Sequence, residues 1–239
     1  MTGREFKDIT FHHLAKVISA FASPKRLEII DILSQGEKDV DSLAKETNTN
    51  FANTSRHLQV LKNANIVLSK KEGVRVVYYL ATDEVIKCWK NIQSLAEQRS
   101  AELREVTTSF LKERSVLEPI TMKELRTKIK GRDVTIIDVR PREEYLTGHL
   151  PGAVSIPLPE LKNEIKNVPR DKEIVAYCRG KYCVMAPEAA KILNKKGFKT
   201  TILQDDVNSW RFAGLEVVRM SVQRTLREGP LSGDPFGKR

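Results

Sequence analysis

Two thiols stand five positions apart in the run Tyr177-Cys178-Arg179-Gly180-Lys181-Tyr182-Cys183. The preceding Glu173-Ile174-Val175-Ala176-Tyr177 is apolar and β-favouring, and Pro187 to Leu193 has helical spacing that ends at Gly197. A loop between a strand end and a helix start gathers backbone N–H groups and the positive end of the helix around the first thiol. That environment favours a thiolate, so Cys178 is expected to have a lowered pKa and to act as a nucleophile, with Arg179 and Lys181 adding positive charge. The catalytic candidates are Cys178, Arg179, Gly180, Lys181, Tyr182 and Cys183. Cys183 either fills space at the end of the loop or supplies a second reactive thiol.

A second set of side chains suits recognition rather than bond chemistry. Ser23-Pro24 starts a helix with a buried stripe of Leu27, Ile30 and Leu33, and Gly36 ends it. Asp41 to Glu46 forms a short helix, Asn48 to Asn50 a turn, and Phe51 to Asn63 a third helix that buries Leu58 and Leu61. The other face of that third helix presents Asn53, Thr54, Arg56, Gln59 and Lys62, side chains fit for base edges and phosphates in a major groove. Ile66 to Leu80 then reads as a hairpin around Gly73, with Lys71 and Arg75 at its basic tip. The hairpin is a wing beside a recognition helix. Beyond it, Thr82 caps a helix expected to run unbroken to about Arg114, its stripe of Val85, Trp89, Ile92, Ala96, Leu103, Val106 and Phe110 suited to a second copy of the chain.

Two resemblances follow from these residues. Ser55-Arg56-His57-Leu58-Gln59-Val60-Leu61-Lys62-Asn63-Ala64-Asn65-Ile66-Val67, with Gly73 and Tyr78-Tyr79-Leu80, resembles the arsenic-repressor (ArsR) family of winged helix-turn-helix regulators from Phe11 through the helix after the wing. The resemblance implies a homodimer on a palindromic double-stranded DNA operator, with Ser55 and His57 added to the DNA-facing residues. Arsenite-binding members carry clustered cysteines where this chain has Val40-Asp41-Ser42-Leu43. Asp83 to Trp89 supplies no paired histidines, and His12 and His13 are sequence neighbours pointing apart, so no metal and no cofactor is expected.

Ile137-Asp138-Val139-Arg140-Pro141-Arg142-Glu143-Glu144-Tyr145, Gly148-His149-Leu150-Pro151-Gly152-Ala153, the cysteine loop and Asn208-Ser209-Trp210-Arg211 together resemble the rhodanese (sulfurtransferase) family, from Ile120 to Val217. That resemblance implies a persulfide on Cys178, taken from a small sulfur donor such as thiosulfate or polysulfide. It also implies that Asp138 and Arg140 lie beside the loop and support it; the plain alternative is a surface ion pair. Asp205-Asp206 replaces glycines found in many rhodanese domains, and is expected to strain a turn that needs positive φ. A phosphatase or arsenate reductase would use a similar cysteine loop, but the arginine it needs six positions on is here Val184.

The fold class expected is two domains: a mainly α winged helix-turn-helix with a β-hairpin wing, then an α/β rhodanese domain with a parallel sheet. The boundaries read as 1–115, a linker at 116–119, 120–217, and a disordered tail at 218–239 whose Arg, Gly, Pro and Ser lack an apolar period. The 239 residues suit two small cores, and the net charge of +10 suits an anionic partner. No apolar run reaches the roughly 18 residues of a membrane span, and Met1 to Asp8 holds no signal-type segment, so a cytoplasmic protein that uses no membrane is expected. Only three cysteines, Cys88, Cys178 and Cys183, argue for reduced thiols rather than a disulfide framework. The leading reading is a DNA-binding transcriptional regulator whose rhodanese domain forms a cysteine persulfide to sense sulfane sulfur or redox state. Its alternative is a thiosulfate sulfurtransferase whose N-terminal half serves mainly dimerisation, and a rhodanese-like module that only recognises a protein partner is a further option.

Overall fold

In the first unit, Met1–Arg99, three of the helices start where a capping side chain accepts a backbone N–H of the first turn. The computed structural model describes residues 1–116, 118–131 and 133–219. Helix α1 (Gly3–Phe21) starts at a capping box in which Thr2 and Glu5 satisfy each other's backbone N–H groups. Sequence reading passes over this helix, although its Thr-x-x-Glu signal is there to find. Helix α2 (Pro24–Leu33) has proline at its first position. The two-residue strand β1 (Lys38–Asp39) leads into α3 (Val40–Glu46), where the Asp39 side chain accepts from Ser42 N–H at 2.8 Å. Asn48, with φ 49°, turns the chain in a left-handed conformation that asparagine tolerates. Helix α4 (Phe51–Asn63) follows, with the Asn50 side chain accepting from Asn53 N–H at 2.9 Å.

Strands β2 (Val67–Glu72) and β3 (Arg75–Leu80) pair in register from Val67 with Leu80 to Glu72 with Arg75, leaving Gly73-Val74 as a two-residue loop. Gly73 has φ 59°, which such a tight hairpin loop requires at its first position. β1 joins on the far side of β3, giving the sheet order β1-β3-β2. Helix α5 (Asp83–Arg99) returns to α2, where Trp89 Nε1 donates to Asp31 at 2.9 Å. Ile29, Ile30, Leu43, Leu58, Leu61 and Val67 fill the core of this unit.

The expected unbroken helix to Arg114 is interrupted. Ser100 leaves helical geometry and its hydroxyl accepts from Leu103 N–H at 3.1 Å, so the side chain caps a new helix, α6 (Ala101–Lys112). The second unit, Ser100–Arg239, therefore begins earlier than expected. Val116, assigned by sequence to a linker, is 2% exposed in a core with Ile137 and Cys178, against which Leu111 of α6 also packs. A residue so buried is part of the domain rather than a tether.

The second unit continues through α7 (Met122–Gly131), β4 (Val134–Asp138), α8 (Arg142–Thr147), β5 (Val154–Ser155), α9 (Leu161–Glu164) and a 3-10 turn, Ile165–Asn167. It ends with β6 (Glu173–Tyr177), α10 (Met185–Lys195), β7 (Thr200–Ile202) and α11 (Val207–Phe212). The four strands are parallel in the order β5-β4-β6-β7. Ile137, Ile174 and Ala176 face one core, whereas Ile136, Val175 and Tyr177 face another. A sheet buried on both faces explains why its strands read as continuous apolar runs.

Two local expectations are corrected here. Asp206 has φ −118° and caps α11 by accepting from Ser209 N–H at 2.8 Å, while Asp205 accepts from Met122 N–H at 2.9 Å. The acidic pair thus caps and ties rather than straining a turn. Val218, placed by sequence in a disordered tail, exchanges backbone hydrogen bonds with His149 at 2.9 and 3.0 Å. The rest of that tail, 220–239, lies outside the described residues.

Candidate functional site

Cys178 follows the last residue of β6 and sits 2% exposed at the N-terminal end of α10. The backbone N–H groups of Ala186 and Arg179 point to its sulfur, and those of Arg179 and Met185 to the sulfur of half-buried Cys183. Gly180 has φ 106°, where a side chain would strain the backbone, and Cys183 N–H closes a turn on the Gly180 carbonyl at 3.1 Å.

The charge distribution differs from expectation. Burial pushes the Cys178 thiol up, and its hydrogen bond to Cys183 acts in the same direction. Cys183 is pulled down, chiefly by that same hydrogen bond from Cys178 and against its own burial. The amide cradle thus supports one negative charge on a pair of thiols, and the pair titrates as a unit. Arg179 does not face the sulfur alone either. Its Nε donates at 3.1 Å to Glu144 of α8, a carboxylate only 2% exposed, and its Nη2 donates to the other oxygen of the same group. Glu144 escapes sequence reading because nothing local reveals which cation will cover it. Lys181 is exposed and Tyr182 half-buried. Val184, where a phosphatase loop needs arginine, is exposed and carries no charge.

Asp138 and Arg140 are no surface pair. They are 0% and 1% exposed, with Arg140 Nη2 2.6 Å from Asp138 Oδ2 and 2.8 Å from the Gly148 carbonyl. Tyr177 donates its hydroxyl to Asp138 at 2.6 Å and accepts from Leu150 N–H at 3.2 Å. Since Asp138 and Tyr177 are also partners across β4 and β6, the network fixes the end of the strand from which Cys178 projects. Tyr177 is a supporting residue that sequence reading takes only for strand core. Its alternating position in β6 is the available signal.

In the first unit, α4 exposes Asn53, Arg56, Gln59 and Lys62 together, with Ser55 and His57 half-buried beside them. Thr54 is a correction. It is 0% exposed, its hydroxyl lying 2.6 Å from Thr49 Oγ1 and 3.0 Å from the Asn50 carbonyl, so it braces the turn before α4. A threonine one position from the outer face points inward because about 100° of helical rotation separates neighbours. Lys62 Nζ donates to Ser69 of β2 at 2.8 Å, joining helix and wing. Lys71 is exposed at the tip and makes no ion pair among the described residues, while Arg75 stands 3.6 Å from Asp39. Burial, then Arg26, Arg56 and Lys25, lower the His57 pKa, which marks a basic cluster wider than the sequence suggested. Among the described residues no group of three or more His, Cys, Asp or Glu side chains could hold a metal, and no helix is long and apolar enough to cross a membrane.

Comparison with known proteins adds to this geometry. The model of the bacterial regulatory protein, arsR family, matches residues 23–69, and that of the rhodanese-like domain matches residues 121–213. The HTH-type transcriptional regulator Rv0324 of Mycobacterium tuberculosis is 39% identical over 204 residues, covering 85% of this chain and 89% of that protein. The putative sulfurtransferase YtwF of Bacillus subtilis is 28% identical over 46% of this chain and 91% of its own length. Among solved structures, the homodimeric winged helix-turn-helix DNA-binding domain Mb0332 of Mycobacterium bovis is 31% identical, with a TM-score of 0.39, and covers 43% of this chain and 93% of that one.

Proposed function

Because the chain belongs to the ArsR family of helix-turn-helix transcriptional regulators and carries a C-terminal rhodanese domain, we propose that it binds operator DNA and responds to sulfane sulfur captured on Cys178. The single observation that carries this reading is the placement of Cys178, 2% exposed between the end of β6 and the start of α10 in a loop closed from Cys183 N–H to the Gly180 carbonyl. Cys178 thiolate attacks the outer sulfur of thiosulfate or a polysulfide, and the N–H groups hold the resulting persulfide anion. Incubation of the full chain with thiosulfate, followed by peptide mass spectrometry, tests it. A sulfur adduct on Cys178 is expected, and its absence would remove the basis of the reading.

DNA recognition in this account belongs to α4 and the wing. Asn53, Ser55, Arg56, His57, Gln59 and Lys62 address the groove, and Lys71 and Arg75 address phosphates. A Lys71→Glu/Arg75→Glu protein should lose about tenfold or more in affinity for every DNA sequence, with a shallower salt dependence, in a titration against ionic strength. Gln59→Ala should instead narrow the gap between operator and unrelated DNA. Unchanged affinity in the folded double variant would remove the wing from the interface.

Self-association is supported most by α1. Its side chains Phe6, Ile9, Phe11, Leu14, Val17 and Ile18 are each 43–68% exposed, and a cluster of exposed large apolar side chains on one helix suits an interaction surface. A second copy of the chain covers it in the homodimer we assign. The stripe after the wing was expected to serve this purpose; its Val85 and Trp89 are instead buried in the core of the first unit, with Ile92 packed against it, and Val106 remains exposed.

The route from sulfur to DNA runs, on this proposal, through α6. Arg114 Nε donates at 2.7 Å to Glu188 in the first turn of α10, and its guanidinium lies 3.5 Å over the Phe110 ring of α6. Leu111 and Val116 share one core with Cys183 and Met185. α6 is in turn joined to α5 through the single residue Ser100. Glu188→Gln should leave sulfur loading of Cys178 intact while cutting the donor-induced change in DNA affinity by about threefold or more, within the roughly 1–3 kcal/mol usual for coupling. Fluorescence anisotropy with and without donor checks this, and an undiminished response would exclude the α6 route.

A further inference from the structure

Cys183 has no part in forming a persulfide on Cys178, yet the loop folds it back onto that residue. The Cys178 thiol reaches along the loop, its Sγ 4.0 Å from the Gly180 carbonyl oxygen. Cys178 Sγ also lies 3.7 Å from the Cys183 carbonyl oxygen, and the turn from Cys183 N–H to Gly180 brings the two ends of the loop together. A disulfide needs Cα atoms within about 7 Å and side chains that converge. The closed turn, with the Cys178 sulfur set against the Cys183 backbone, favours both. Cys183 is half-buried and packs against the same core as Cys178, so both thiols share one water-poor site.

Resting on the persulfide reading of Cys178, we infer that Cys183 is a resolving thiol that converts the Cys178 persulfide into an intramolecular Cys178–Cys183 disulfide and expels the captured sulfur as sulfide. The donor class is an organic persulfide, RS–SH. Cys178 thiolate attacks its outer sulfur, the S–S bond of the donor breaks, and RS⁻ leaves with the electron pair. Cys183 thiolate then attacks the Cys178 sulfur, the bond to the outer sulfur breaks, and HS⁻ leaves. In sum, two protein thiols and one organic persulfide give one disulfide, one organic thiol and one hydrogen sulfide; the two cysteine sulfurs are oxidised and the sulfane sulfur is reduced. A cellular dithiol reductant returns the disulfide to two thiols. Cys183 is suited to attack because it stands at the other end of the same closed turn, just before α10, whose positive end favours its thiolate. The outcome is a switch whose product differs from that of the single-thiol cradle: a covalent bridge across the loop at the start of α10 rather than a bound sulfur.

Intact-mass and peptide mass spectrometry of the full chain, its Cys183→Ser and Cys183→Ala variants, and Cys178→Ser, each treated with glutathione persulfide, tests the assignment. Wild type should pass briefly through a species heavier by about 32 Da and accumulate one lighter by about 2 Da, with a Cys178–Cys183 linked peptide and one equivalent of sulfide. Both Cys183 variants should retain the adduct of about 32 Da on Cys178 with a lifetime about tenfold longer or more, and Cys178→Ser should form neither product. Equal adduct lifetimes in wild type and the Cys183 variants, with no linked peptide, would overturn the resolving role and leave the persulfide reading intact. Absence of the adduct from wild type and both Cys183 variants would overturn the two together.

Discussion

A Cys178→Ser protein should transfer no sulfane sulfur from thiosulfate to cyanide, with thiocyanate formation falling by about 10³-fold or more relative to wild type. The serine hydroxyl remains protonated at neutral pH and is a weak nucleophile. Oxygen also gives no stable link to sulfane sulfur, so the intermediate that the cradle holds is never made. Nothing else in the loop changes, since the amides of Arg179 and Ala186 belong to the backbone. Cys88→Ser is the matching control: Cys88 is exposed on α5 in the other unit, and its loss should leave turnover within about twofold. Because burial pushes the Cys178 thiol up, the thiolate fraction grows with pH, and wild-type turnover should climb on the alkaline side of neutrality. Full turnover in Cys178→Ser would show that another group carries the sulfur.

Asp138→Ala should produce the largest loss of stability in the second unit. Removing the carboxylate takes from the Arg140 guanidinium, 1% exposed, the charge that lies 2.6 Å away. Breaking a buried pair on one side costs about 3–5 kcal/mol, enough to lower Tm by roughly 10 °C in a domain of this size. The Tyr177 hydroxyl also loses its acceptor, which loosens the strand end that carries Cys178. Thermal unfolding followed by circular dichroism should show the transition of the second unit moving down, with that of the first unit in place. Joint replacement by apolar residues, Asp138→Leu with Arg140→Met, should recover part of the loss, because no buried charge is then left unpaired. A transition for Asp138→Ala within about 1 °C of wild type would mean the network contributes little.

Sequence is a good guide wherever a local signal decides the outcome. The bounds of α4 follow from Asn50 as a cap and from Leu58 and Leu61 at helical spacing. The wing follows from Gly73 between two β-favouring runs, and the cysteine loop from a strand that stops at Tyr177 and a helix that begins at Met185. The same reasoning fails where two local signals compete. The apolar stripe runs past Ser100 without a break, yet the Ser100 hydroxyl takes the Leu103 N–H and divides the helix in two. Asp205-Asp206 reads as a misfit for glycine, yet both carboxylates accept backbone N–H groups.

Residue types and spacing by themselves determined the two-domain class, the helix-turn-helix and wing, the thiol at the loop and the basic face of α4, because capping, periodicity and turn chemistry act over a few residues. Only the tertiary structure decided which polar groups were buried and paired. Thr54 turned inward to Thr49, Arg179 turned to Glu144, Asp138 and Arg140 lost contact with solvent, and the Cys178 sulfur came to lie 3.7 Å from the Cys183 carbonyl oxygen. The physical reason is common to all four: the state of a charge, hydroxyl or thiol depends on its solvation, and solvation is set by the segments that pack over it.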